Sequence, residues 1–138
     1  CWRMRIAGRR VRIVPRSTVY HLGGGTLKAQ SPAKVYFNHR NNLAMLFKCA
    51  PAPQRLLTAV VRPPLDALAA LSYLAQGRWR NFCAVGRAWW WFLRHHRELA
   101  RARRRIQATR RAFAGTYIYR GSVVLRYLAG RRTFGRMM

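Results

Sequence analysis

Only two carboxylates, Asp66 and Glu98, stand against 28 lysines and arginines in this chain of 138 residues. The resulting formal charge of +26 constrains what the chain can fold into, because a compact body with that imbalance repels itself. It calls for an anionic partner, a membrane surface or further acidic chain. A disordered basic tail is excluded, since 51% of the residues are hydrophobic. Just three of the bases are lysines (Lys28, Lys34 and Lys48), so part of the arginine excess is read as genome composition rather than as a binding signal. The length suits one small domain.

Two acids also limit the chemistry. Asp66 follows Pro63-Pro64 and Glu98 lies in an arginine-rich stretch, and neither has a carboxylate neighbour in sequence. No paired-carboxylate, Ser/His/Asp or carboxylate-rich metal constellation can be assembled, and a complete enzyme is not expected. Cys1, Cys49 and Cys83 are odd in number and widely spaced, which predicts reduced thiols, with Cys83 buried in a helix.

Hydropathy spacing predicts the end of a helix over residues 2–7, with Gly8 as its C-cap, then short strands over 9–14 and 17–20. Ser31-Pro32 reads as an N-cap with proline in the first turn, opening a helix to about Lys48. Pro51 and Pro53 precede a helical piece over 54–61. Pro63-Pro64 breaks it, and 65–76 restarts as an apolar helix ending at Gly77. One amphipathic helix of about 30 residues, roughly 45 Å long, is expected from 78 or 81 to about 112. Residues 117–119 are read as an extended turn and 122–128 as a last helical segment.

No apolar stretch approaches the length of a spanning helix. Trp89, Trp90 and Trp91 instead read as interfacial anchors, and Arg103, Arg104 and Arg105 as a cationic surface for anionic lipid. His95 and His96 are read as surface or packing residues. The remaining motif is a histidine against a triple glycine, His21, Gly23, Gly24, Gly25 and Thr26. Backbone N–H groups there can face an anion, and the imidazole can meet a metal or a phosphate.

Together Cys1-Trp2-Arg3, Val14-Pro15-Arg16-Ser17, Tyr20-His21-x-Gly23-Gly24-Gly25-Thr26 and Tyr36-Phe37-Asn38-x-Arg40-Asn41-Asn42-Leu43 resemble family 2 glycosyltransferases, in particular bacterial rhamnosyltransferase-like members. Asn81-Phe82 and Tyr119-Arg120-Gly121-Ser122-Val123-Val124 extend the resemblance over nearly the whole chain. It implies a mostly α fold with a short β remnant: residues 1–48 as the C-terminal end of a GT-A type α/β domain, and 49–138 as a helical, basic, membrane-associating appendage. It further implies part of an inverting enzyme of cell-envelope polysaccharide synthesis, inactive alone, whose base and metal-diphosphate motif lie upstream of Cys1.

By that resemblance the partners are a nucleotide-sugar donor and a glycan or lipid-linked acceptor, and the cofactor is a divalent metal, Mg or Mn. His21 would sit at the diphosphate or its metal, and Gly23 to Thr26 would close over donor and acceptor. Trp2, Arg3, Arg40, Asn41 and Asn42 would support the pocket, while His39 departs from the family's aromatic and is not a ligand. The implied location is peripheral, at the cytoplasmic face of the bacterial inner membrane, against an anionic surface. The alternative is a small basic nucleic-acid-binding protein, disfavoured because no recognisable motif is present and the aromatics sit among apolar neighbours.

Overall fold

A computed structural model describes residues 1–12, 14–20, 28, 31–111 and 129–130, and these form five helices. They are α1 (Trp2–Ile6), α2 (Pro32–Cys49), α3 (Ala52–Ala75), α4 (Trp79–Arg94) and α5 (His96–Ala108). The starts and stops follow from local chemistry. Ser31 accepts a hydrogen bond from the Lys34 N–H at 3.3 Å, and Pro32 occupies the first turn, where its missing N–H is no loss. Gly8 and Gly77 adopt φ of +72° and +70° just beyond α1 and α3, the left-handed conformation that closes a helix end. A side chain on Gly8 would also press on the Arg111 side chain, whose backbone N–H donates to Ile6 O at 3.1 Å.

α2 packs along α4, and Val35, Ala70, Ala84 and Val85 make a core cluster there, bordered by Tyr36, Tyr73 and Trp89. Small Ala84 and Ala88 on the inner face of α4 let the helices approach closely. A second cluster joins Ile6 of α1 to Cys49 at the end of α2, with Trp2 and Ile106 against it. α3 leans chiefly on α4 and touches α2 little.

Several expectations are corrected. Residues 9–12 and 14–20 contain no strand, although their pattern alternates. A strand needs a neighbour for its backbone N–H and C=O groups, and no other strand exists among the described residues. The fold is therefore helical rather than an α/β domain end with a β remnant. Pro63-Pro64 does not divide residues 52–75: α3 runs through it as one helix. Both prolines lie on the exposed side, so the carbonyls of Ala59 and Val60 that lose their donors can face water. The long helix over 78–112 is two helices, interrupted at His95, whose φ and ψ are −99° and 14°. Cys83 is exposed, and the buried thiol is Cys49. The elements expected over 117–119 and 122–128 lie outside the described residues.

The orientation of α3 is fixed by one acid. Asp66 is 3% exposed, and its Oδ2 accepts from Arg62 Nε and from Trp89 Nε1, both at 3.0 Å. Arg62 also donates from Nη1 to Asn42 Oδ1 at 3.1 Å. His39 Nδ1 lies 3.1 Å from Asp66 Oδ1, close enough to pair electrostatically, although the ring nitrogen is not aimed at the oxygen for a hydrogen bond. Residues of α2, α3 and α4 thus converge on one carboxylate. The Arg62–Asp66 pair also spans Pro63-Pro64 and ties the two sides of the break together.

Removing the carboxylate leaves the Arg62 Nε–H and the Trp89 indole N–H without their acceptor. Asp66→Ala is expected to cost about 3–5 kcal/mol in urea unfolding. Glu98→Gln, on the exposed first turn of α5, should cost no more than about 1 kcal/mol. Equal effects from the two substitutions would contradict the assignment.

Candidate functional site

α3 is amphipathic with its faces reversed. Thr58, Arg62, Asp66, Ala69, Ala70 and Tyr73 lie on the side toward α2 and α4. Leu56, Leu57, Val60, Val61, Leu65, Leu68, Leu71 and Leu74 are all exposed. At 100° per residue, these eight occupy an arc of roughly 180° along a helix of about 36 Å. Leu56 is 71% exposed and Val60 67%, values usual for charged surface residues rather than for aliphatic ones. None of the three charged residues of α3 (Arg55, Arg62 and Asp66) falls on that arc.

Apolar surface continues to either side. Between α2 and α3 a groove of about 380 Å³ is lined by Leu43, Leu46, Phe47, Leu56, Ala59 and Phe92. Between α3 and α4 another of about 350 Å³ is lined by Pro63, Ala67, Ala70, Phe82, Cys83 and Gly86. Trp79, Trp90 and Leu93 stand exposed on α4.

The aromatic and basic residues read from the sequence divide into inward and outward sets. Trp89 is half-buried and bonded to Asp66. Trp91 is half-buried, stacked on His95 at 4.6 Å, with the Arg40 guanidinium 5.2 Å from its ring. Trp90 is the outward member of the three, 67% exposed. Arg103 donates from Nη1 to Phe47 O at 2.7 Å and Ala50 O at 2.8 Å. Gln107 donates to Lys48 O at 2.9 Å, and Arg110 to Cys49 O at 3.3 Å. These side chains satisfy carbonyls that the C-terminus of α2 leaves without intrahelical donors. Arg104 and Arg105 face solvent.

The residues expected to support a donor pocket are spread out. Trp2 and Arg3 lie on α1, at the Cys49 end of α2, and the Trp2 indole nitrogen is buried without a hydrogen-bond partner among the described residues. Arg40 bonds Asn41 Oδ1 at 2.9 Å and lies over the Phe37 ring at 4.7 Å, in the middle of α2. Asn42 belongs to the Asp66 cluster. His21, Gly23, Gly24, Gly25 and Thr26 lie outside the described residues. The Asp66 cluster was not read from the sequence, yet Arg62 and Asp66 stand at the i, i+4 spacing of a helical ion pair.

This geometry overturns the glycosyltransferase reading. The described residues hold no sheet on which a GT-A site could be built, and no group of three His, Cys, Asp or Glu side chains that could hold a metal. Of the two acids, Asp66 is occupied by Arg62 and Trp89, and Glu98 is exposed on α5. The family resemblance, the sugar-transfer function and the classification as an enzyme fragment are accordingly set aside. Comparison of the chain with protein-family profiles, with curated proteins and with solved structures gave no match.

Burial raises the Cys49 thiol above its ordinary value of 9.0, outweighing the lowering by Lys48, Arg3, Arg103 and Arg110. Below pH 9 the thiol is protonated in both the folded and the unfolded chain, and its contribution is complete. Above pH 9 the unfolded thiol ionises first, so stability falls as pH rises toward the folded value, by at most about 1.4 kcal/mol per pH unit. Cys49→Ala should flatten this alkaline decline in urea unfolding measured from pH 8 to 11. An unchanged slope would show that the thiol is not the cause.

Proposed function

We propose that this chain works at an anionic membrane surface as a peripheral helical module, laying the outward face of α3 along the headgroup boundary. The observation that carries the reading is the reversal of α3, with its ion pair turned in and eight aliphatic side chains turned out. An exposed apolar area on this scale marks an interaction surface. Among the described residues no helix is long and apolar enough to cross a membrane, which favours a helix lying in the interface over one spanning it.

Charge selects the occupant. Arg55 and Arg78 to Arg80 mark the two ends of the stripe, and Trp79 stands exposed beside Arg80. Aliphatic side chains between basic and indole ends suit the boundary between acyl chains and anionic headgroups. Each large aliphatic side chain that became fully buried would add about 1.5–3 kcal/mol, and each arginine near the headgroups about 1 kcal/mol. The apolar contribution is therefore the larger, and the arginines set the preference for anionic lipid. Nucleic acid would draw on the same charge but has no use for an aliphatic stripe, since base stacking needs flat π faces.

Flotation of the full chain with phosphatidylcholine vesicles, with and without phosphatidylglycerol, tests the reading. Wild type is expected to float with the anionic vesicles. Val60→Asp/Leu68→Asp should weaken binding at least about tenfold, a change of about 1.4 kcal/mol. Both positions are exposed, so the helical circular dichroism should be unchanged. Equal flotation of wild type and variant would overturn the reading.

A further inference from the structure

Where α2 ends and α3 begins, the bundle holds a concavity of about 580 Å³ facing α5. Four arginines line it (Arg55, Arg103, Arg104 and Arg110) together with Gln107 and the first residue of α3, Ala52. Among the described residues no carboxylate lines it. Two opposite helix ends meet there and are treated differently. The carbonyl end of α2 is already occupied by Arg103, Gln107 and Arg110. The amide end of α3 has no side-chain cap, because its N-cap residue is Pro51 and Pro53 follows. The side that attracts cations is thus satisfied, and the side that attracts anions is left open.

The side chains of Arg55 and Arg104 make no hydrogen bond or ion pair among the described residues, and the bonds the Arg103 side chain makes to the end of α2 all leave from Nη1. Burial lowers the Arg103 pKa, and repulsion from Arg55 and then Arg110 adds to the lowering, although a guanidinium still remains charged at neutral pH. An anion in the concavity would relieve that repulsion. Arg55 directly precedes Leu56 and Leu57, the first residues of the outward apolar stripe.

We infer that the Arg55–Arg103–Arg104–Arg110 concavity binds a phosphate group, and that its source is the phosphomonoester headgroup of an anionic lipid whose acyl chains lie along α3. The inference rests on the membrane-surface reading and adds a headgroup preference to it. A phosphomonoester carries more negative charge than a phosphodiester and offers three terminal oxygens to guanidinium groups, which favours it among lipid anions.

The test uses the full chain and three vesicle types: phosphatidylcholine alone, with phosphatidic acid, and with phosphatidylglycerol at matched surface charge. Wild type is expected to bind the phosphatidic acid vesicles roughly tenfold more tightly than the phosphatidylglycerol vesicles. Arg55→Gln/Arg104→Gln should lose that preference, while a weakened binding to phosphatidylglycerol vesicles persists through the aliphatic stripe of α3. Arg94→Gln/Arg97→Gln removes the same charge elsewhere and should keep the preference.

Absence of a preference in wild type, or equal loss in the two variants, would overturn the pocket while leaving membrane binding intact. If no vesicle is bound, the membrane reading itself falls. Titration with inorganic phosphate, followed by nuclear magnetic resonance, separates the sources. Phosphate binding that is sensitive to Arg55→Gln/Arg104→Gln, without any vesicle binding, would overturn the lipid source.

Discussion

A single buried carboxylate sets the arrangement of the bundle. Asp66 sits between α2, α3 and α4, with Arg62 and Trp89 bonded to it and His39 beside it. In a low-dielectric interior a charge without partners is very costly, so the helix that carries Asp66 must turn that residue toward the groups that satisfy it. Turning Asp66 in also turns Arg62 in, one helical turn away. The opposite face of α3, which holds its aliphatic residues, is then directed outward. Hydrophobic burial alone would have rotated the helix the other way. The exposed stripe is a consequence of where the ion pair went.

The remaining basic residues are distributed by a second constraint, the unsatisfied carbonyls of helix ends. Arg103, Gln107 and Arg110 place their donors on the end of α2, and this holds α5 against it. Arg40 lies over the rings of Tyr36, Phe37 and Trp91, and Arg87 over Tyr36. These guanidinium groups serve packing. Part of the large formal charge is therefore structural, and the part available to an anionic partner includes Arg55 and Arg104, whose side chains have no bond among the described residues.

Local signals in the sequence were legible where one residue decides the conformation. Ser31-Pro32 opens α2, Gly8 and Gly77 close α1 and α3, and the three- and four-residue steps of α4 and α5 mark helices. Patterns whose outcome depends on partners were misread. The alternation over residues 9–20 promised strands, but a strand exists only with a neighbour to pair with. Pro63-Pro64 promised a break, but the prolines fall on the solvent side and the Arg62–Asp66 pair bridges them. The motif similarity to sugar transferases came from short strings of residues, and the helical fold does not carry it. Within the Trp89–Trp91 triplet, only the three-dimensional arrangement separates Trp90, which faces out, from its two neighbours. The i, i+4 spacing of Arg62 and Asp66 was visible. Its convergence with Asn42 and Trp89, twenty and more residues away in the chain, was not.

The phase of α3 is the central claim, and cysteine accessibility reads it most directly. In a Cys1→Ser/Cys83→Ser background, single cysteines placed along residues 57–73 would be reacted with a water-soluble maleimide in the absence of vesicles. The account predicts fast labelling at positions 57, 60, 68 and 71, and slow labelling at 58, 69, 70 and 73. It also predicts that anionic vesicles slow the reactive set. Fast labelling at 58, 69 and 70 with protection at 60 and 68 would mean that α3 buries its aliphatic face, and would contradict the account.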